Sequence, residues 1–131
     1  MNMNKGLFGL ILAAAIAPIS TSAYALPDNW NSVGHYPEVR NETAVKIYLL
    51  AAGNSYLAAN VELRATGKDE LYCQPDQLAL MGENYVEIFE KQLASLKGGA
   101  SEELSRTVEG TPIEFVLLQG LKATFPCPER R

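Results

Sequence analysis

Residues 111–127 read TPIEFVLLQGLKATFPC and hold, in one run, a helix start, an amphipathic helix and a cysteine. Thr111 and Glu114 have the spacing of a capping box, and Pro112 suits the first helical position. Apolar or small residues then recur at helical spacing as far as about Thr124: Ile113, Val116, Leu117, Gly120 and Leu121. We therefore predict a helix with one buried face, which Phe125-Pro126-Cys127 terminates.

Two longer helices are predicted upstream of this stretch. Asn41 is a suitable N-cap, and the apolar residues that follow it at spacings of three and four predict a helix over 42–64. Gly53, in its middle, favours either a close helix contact or a kink. A second amphipathic helix is predicted from residue 82 or 83 to residue 97, and Gly98-Gly99 ends it.

The segments between these helices give weaker signals. Residues 71–75 are expected to be extended because Pro75 disfavours helix at the residue before it, and residues 76–80 are expected to form one short helical turn. The polar segment 100–110 is either a short helix opened by Ser101 or a loop. The fold class predicted is all-α, a small domain of about four helices.

Residues 1–25 have the pattern of a secretory signal peptide: one lysine, an apolar run over 6–19 and Ala23-Tyr24-Ala25. The run of about 14 residues is shorter than the ~20 that a membrane-spanning helix needs. Cleavage after Ala25 would release the mature chain as an exported protein. Residues 26–41 are interpreted as an arm, either pinned by Trp30 and Tyr36 or mobile, and 42–131 as the helical domain.

Cys73 and Cys127 are the only cysteines of the chain. An even number of cysteines in an exported protein favours a disulfide. Closing a loop of 54 positions stabilises a fold by about 4 kcal/mol in the chain-entropy model. Together with the single His35, the two cysteines cannot supply four zinc ligands, and no metal or cofactor is expected.

Composition and motifs favour a binding protein over an enzyme. The chain has 131 residues and a net charge of −4, whereas nucleic-acid binders present a basic face. The sequence contains none of the common nucleophile, metal or phosphate-binding motifs, and His35 is the one candidate for a catalytic relay. Glu83, Glu87 and Glu90 are more typical of a solvated helix face than of a catalytic carboxylate pair.

Three segments resemble the Rap1a/Tai family of small periplasmic immunity proteins of type VI secretion systems. They are Tyr48-Leu49-Leu50-Ala51-Ala52-Gly53, Cys73-Gln74-Pro75, and residues 118–127, which read LQGLKATFPC. Their order and spacing match the family from about residue 42 to residue 127. Two departures are that Gly53 lies one place late and that residues 76–80 lack the family's usual Gly-Val-Thr.

The resemblance implies an all-α fold held by a Cys73–Cys127 disulfide, and a homodimer. It further implies an inhibitor that covers the catalytic cleft of a peptidoglycan amidase effector, without inserting into membranes or binding nucleic acid. We expect the polar loop over 97–109 to enter that cleft, since flexible polar segments often carry binding function. The residues predicted to contact the partner are Ser101, Glu102, Glu103, Ser105, Glu83 and Glu87.

Two other functions fit a small, exported, helical protein with a disulfide. An acid-stress chaperone of the HdeA type would unfold and bind client proteins near pH 2–3. A scaffold of the cell envelope would have no toxin partner at all. An inhibitor of lysozyme-type hydrolases would be a near variant of the immunity function.

Overall fold

The computed structural model describes residues 26–128, so the predicted signal peptide lies outside the described residues. In these described residues five helices follow one another: α1 (Tyr36–Val39), α2 (Thr43–Ala65), α3 (Gly82–Gly98), α4 (Glu102–Glu109) and α5 (Ile113–Thr124). Within this range no strand forms beyond an isolated antiparallel bridge between Ser32 and Pro112. The all-α prediction is confirmed. No helix of the same range is long and apolar enough to cross a bilayer.

The core lies where α2, α3 and α5 pack on one another. Each residue predicted for the inner face of α5 is buried, as the helical spacing required. The helices approach closely at two glycines. A Cβ on Gly53 of α2 would overlap the ring of Tyr85 in α3, and a Cβ on Gly120 of α5 would lie 2.9 Å from the Ile88 carbonyl oxygen. Of the two roles considered for Gly53, close contact is the one observed.

The helix starts differ in detail from those predicted. Helix α2 begins at Thr43 after an extended Glu42, so Asn41 is not the N-cap. Before α5 the N-cap is the extended Pro112, and the expected capping box does not form. The Thr111 hydroxyl instead donates to the Thr107 carbonyl oxygen at 3.1 Å. The Thr111 hydroxyl, which the sequence predicted to cap α5, therefore bonds to the end of α4.

The segment between α2 and α3 is held by a disulfide and by one buried side chain. Cys73 and Cys127 are bonded at 2.05 Å, and the Cys73 amide donates to the Phe125 carbonyl oxygen at 2.8 Å. The Asn60 side chain, 1% exposed, donates to the Tyr72 carbonyl oxygen and accepts from the Leu71 amide, both at 2.7 Å. Asn60 thus satisfies two backbone groups that have no strand or helix to pair with.

Residues 76–80 do not form the predicted helical turn. The Leu78 amide donates to the Pro75 carbonyl oxygen at 3.0 Å, which closes a single non-helical turn. The Gln74 side-chain amide donates to the Leu78 carbonyl oxygen across the same turn. These two hydrogen bonds hold the segment as a turn.

The arm over 26–41 packs against the helices. The structure therefore shows a pinned arm and not a mobile one. Its residues Val33, Tyr36 and Val39 are buried in the common core. The Tyr36 ring meets the Phe89 ring edge-on at 4.6 Å, and the Trp30 ring meets Tyr48 at 4.9 Å. Both aromatic residues expected to hold the arm do so.

The buried Tyr72 leads to a prediction about the stability of the protein at alkaline pH. Its ring is buried and its hydroxyl has no hydrogen-bond partner within residues 26–128. Burial raises the pKa of Tyr72 to about 12, whereas an unfolded tyrosine ionises near pH 10. The folded state therefore holds this proton more tightly. The stability from this difference is complete below about pH 10 and is lost as the pH rises towards 12.

We expect Tyr72→Phe to raise the melting temperature at pH 7, because an unsatisfied buried hydroxyl costs about 1–3 kcal/mol. It should also make the loss of stability above pH 10 less steep, by up to about 1.4 kcal/mol per pH unit. Urea unfolding of Tyr72→Phe and of the parent protein at a series of pH values measures how steeply the free energy of unfolding falls with pH. Equal slopes for the variant and the parent protein would contradict the assignment.

Candidate binding surfaces

The polar segment predicted to enter a cleft is mostly helical. Lys97 lies in the last turn of α3, and α4 begins soon after it. The Ser101 hydroxyl accepts from the Leu104 amide at 3.4 Å, as an N-cap does. Glu102 lies in the first turn, where a carboxylate favours the positive helix end, and pairs with Arg106 at 2.7 Å. Of the two alternatives left open for this segment, the short helix opened by Ser101 is the one observed, and these local interactions explain it.

Helix α4 presents acidic side chains around one apolar residue. Ser101, Glu102 and Glu103 are exposed, and Ser105 is half-buried. Leu104 is 49% exposed, while Val108 on the next turn is buried and anchors the helix. Sequence reasoning overlooked Leu104, although its i,i+4 spacing to Val108 within a polar run was the available signal.

The glutamates predicted on α3 lie in the first half of that helix, whereas α4 follows its C-terminal end. Glu83 and Glu87 are both exposed. With 17 residues at ~1.5 Å each, α3 is about 25 Å long. Glu90 has a structural role instead, since its carboxylate accepts from the Tyr36 hydroxyl at 2.9 Å and pairs with Arg40 at 3.1 Å.

His35 forms a pair with a hydroxyl, the one arrangement within residues 26–128 that suggests nucleophilic chemistry. Ser32 Oγ lies 2.9 Å from His35 Nδ1. A serine nucleophile also needs free N–H groups to bind the oxyanion. The amides of residues 32–35 all donate to backbone carbonyl oxygens, those of Asn29, Thr111, Glu109 and Ser32. These four amides are therefore not free to bind an oxyanion, and the pair is explained as a local i,i+3 contact at the start of α1.

A shallow groove of about 310 Å³ runs along α2 beside the start of α5. We call it the Glu114 groove; it is lined by Tyr48, Ala51, Ala52, Ser55, Tyr56 and Glu114. The Tyr56 hydroxyl donates to the Glu114 backbone oxygen at 3.0 Å. Burial, and then the nearby Glu114 carboxylate, raise the pKa of Tyr48 and of Tyr56. The groove is therefore aromatic at both ends and electrically negative.

Helix α2 also exposes apolar side chains to solvent. Ile47 and Val61 are each 59% exposed, and Leu57 is also exposed. Leu78 and Met81, from the segment before α3, add to the exposed apolar side chains of the molecule. Exposed apolar residues that recur along one helix are more typical of an interaction surface than of random exposure.

Residues 26–128 bring together no group of three or more His, Cys, Asp or Glu side chains that could hold a metal ion. No protein-family profile, no curated protein and no solved structure matches the chain.

Proposed function

We propose that this chain is an immunity protein of the Rap1a/Tai type, which binds a peptidoglycan amidase effector of a type VI secretion system in the periplasm and occludes its catalytic cleft. One observation carries the proposal. The disulfide joins Cys73-Gln74-Pro75 to Phe125-Pro126-Cys127, the two motifs that give the resemblance its specificity. The bond is also compatible with the oxidising compartment that export would require.

Inhibition of this kind requires shape and charge complementarity, and no chemistry by the inhibitor. A protein interface usually combines an apolar centre with a polar rim. Helix α4 offers this with Leu104 among Ser101, Glu102 and Glu103. Its acidic side chains, and the net charge of −4 of the whole chain, favour a partner with a basic rim around its cleft.

Self-association remains a prediction of the resemblance. The exposed apolar residues of α2, Ile47, Leu57 and Val61, are the described surface best suited to a second copy. This face and α4 consist of different residues. Binding of the effector through α4 would therefore leave it available for a dimer.

The proposal is tested by capture with the mature chain, residues 26–131, as bait for effectors secreted by neighbouring strains. We expect one peptidoglycan amidase to be retained with nanomolar affinity. If no hydrolase is retained and the protein keeps aggregating clients soluble only near pH 2–3, the acid-stress chaperone replaces this proposal.

Leu104→Asp is expected to weaken binding of the captured amidase at least tenfold, since it places a charge at the centre of the contact. The melting temperature should change little because the side chain is half exposed. Phe115→Asp, at a similarly exposed apolar residue on α5, is the matched control and should bind normally. Calorimetric titration measures the affinity of both variants for the captured amidase. Equal affinity of Leu104→Asp and the parent protein would exclude α4 as the contact.

A further inference from the structure

One side of α2 faces solvent over a long stretch without a charge. Residues 47–61 read IYLLAAGNSYLAANV and contain no aspartate, glutamate, lysine, arginine or histidine. They cover ~21 Å of helix at ~1.5 Å per residue. A helix that is largely apolar all round is normally buried on all sides. The exposed side of this stretch therefore indicates a surface that a partner covers.

The outward side chains of this stretch follow a heptad pattern. Five residues whose spacings alternate between three and four form what we call the α2 stripe: Ile47, Leu50, Asn54, Leu57 and Val61. Leu50 is half-buried and the other four are exposed. This spacing places side chains in one row, the pattern by which two helices pack side by side. Ala51 and Ala58 border the row with small exposed side chains, which let a second helix approach closely.

Two apolar hollows widen the α2 stripe on the side of α3. The first, of about 500 Å³, lies beside the N-terminal half of the stripe and includes Met81. The second, of about 190 Å³, lies beside its C-terminal half and includes Leu78. Among residues 26–128, five of the seven large apolar side chains that are exposed lie on this face, and the other two are Leu104 and Phe115. Such a concentration of exposed apolar side chains is typical of a protein interface.

The α2 stripe is nearly symmetric about Asn54. Ile47 and Val61 lie seven residues before and after it, and the two leucines lie four before and three after. A two-fold axis beside Asn54 therefore places Ile47 of one antiparallel copy against Val61 of the other. It likewise places Leu50 against Leu57, and Asn54 against itself. An interface between two identical chains has to be self-complementary in this way.

The charges at the ends of the stripe also suit an antiparallel copy. Lys46 and Glu83 border the first hollow, and Lys46 is exposed and takes part in none of the four ion pairs of residues 26–128. Arg64, Glu70 and Asp76 border the second hollow and together carry a formal charge of −1. An antiparallel copy turns its second hollow towards the first, so that Lys46 faces the Asp76 carboxylate, which is 80% exposed. A parallel copy would bring like ends together.

We propose that a second copy of this chain covers the α2 stripe, with the two α2 helices antiparallel and the two Asn54 side chains in contact at the two-fold axis. The amide group of asparagine has both a donor and an acceptor, so the two side chains satisfy each other. A single asparagine in an apolar row fixes the register, because a shift would bury its amide against apolar groups. The proposal rests on the self-association proposed above, and it does not require a bound amidase.

The test is cysteine cross-linking of the mature chain, whose native cysteines are already joined. Asn54→Cys should give a disulfide-linked dimer under mild oxidation. Ile47→Cys should not link to itself, because its two copies lie ~21 Å apart along the helices, but it should link to Val61→Cys when the two proteins are mixed. Phe115→Cys, at a similarly exposed residue of α5, is the control and should stay unlinked. Linking of Ile47→Cys to itself as efficiently as to Val61→Cys would overturn the proposal.

Sedimentation equilibrium measures the association without cross-links. We expect the mature chain to dimerise and Val61→Asp to weaken the dimer at least tenfold, whereas Phe115→Asp should dimerise as the parent protein does. A mature chain that stays monomeric up to its solubility limit would contradict the proposal. A monomeric chain whose Val61→Asp variant loses the amidase would assign the α2 stripe to the effector and overturn it as well. A dimer without any captured amidase would support it and count against the immunity function alone.

Discussion

Removing the disulfide between Cys73 and Cys127 is expected to lower the free energy of unfolding by about 4 kcal/mol. The bond closes a loop of 54 positions, which includes all of α3, α4 and α5. Without it the unfolded chain gains the entropy of that open loop. One kcal/mol corresponds to about 4–8 °C in the melting temperature of a domain near this size, so a fall of about 20 °C is expected.

The measurement is thermal unfolding of the mature chain before and after reduction, with Cys73→Ser/Cys127→Ser as the matched variant. The double variant should melt where the reduced parent protein melts and should not respond to reductant. Unfolding of reduced and oxidised protein within a few degrees of each other would show that the helical core is sufficient alone.

Gly53→Ala is expected to destabilise the protein by about 2 kcal/mol, although alanine favours helix by about 1 kcal/mol over glycine. The new Cβ would overlap the Tyr85 ring, which is fully buried between α2 and α3. Overpacking of such a site costs about 1–3 kcal/mol or more because the ring cannot swing into solvent. The clash should therefore outweigh the gain in helix propensity.

Gly98→Ala is the control, since nothing lies within 4 Å of the added Cβ. It should leave stability unchanged or raise it by less than about 1 kcal/mol. Denaturant unfolding at 25 °C measures the free energy of unfolding of both variants. A Gly53→Ala protein as stable as the Gly98→Ala protein would mean that α2 and α3 pack less closely than described.

Much of the fold could be predicted because its signals are local or periodic. The inner face of α5 followed from residue spacing, and the disulfide from two cysteines in a chain with a predicted export signal. Gly53 indicated a close approach or a kink by its size alone. That Tyr85 is the residue approached could not be predicted, because it depends on how α2 and α3 align.

The incorrect expectations concern side chains whose partners are distant in sequence. Thr111 and Glu114 have capping-box spacing, but tertiary contacts direct the threonine to α4 and place the carboxylate beside the α2 tyrosines. Asn60 gave no sequence signal, since its role is to bond the backbone of residues 71 and 72. The polar run 101–109 is compatible with both a helix and a loop. The burial of Val108 in the folded protein favours the helix.

The exposure of candidate contact residues was harder to predict for the same reason. A sequence shows which side chains are polar, and exposure depends on the packing of the helices. Leu104 becomes a candidate contact only once Val108 is known to be the buried partner on its helix. The Glu114 groove depends on α2 and α5 lying side by side.

The most direct test of an inhibitor is the activity of the enzyme it captures. Peptidoglycan cleavage by the captured amidase is measured at increasing ratios of the mature chain to enzyme. We expect cleavage to fall linearly and to stop near one inhibitor chain per enzyme, with Leu104→Asp requiring a large excess. An amidase that is bound at saturation and still cleaves peptidoglycan at its full rate would contradict the proposed function.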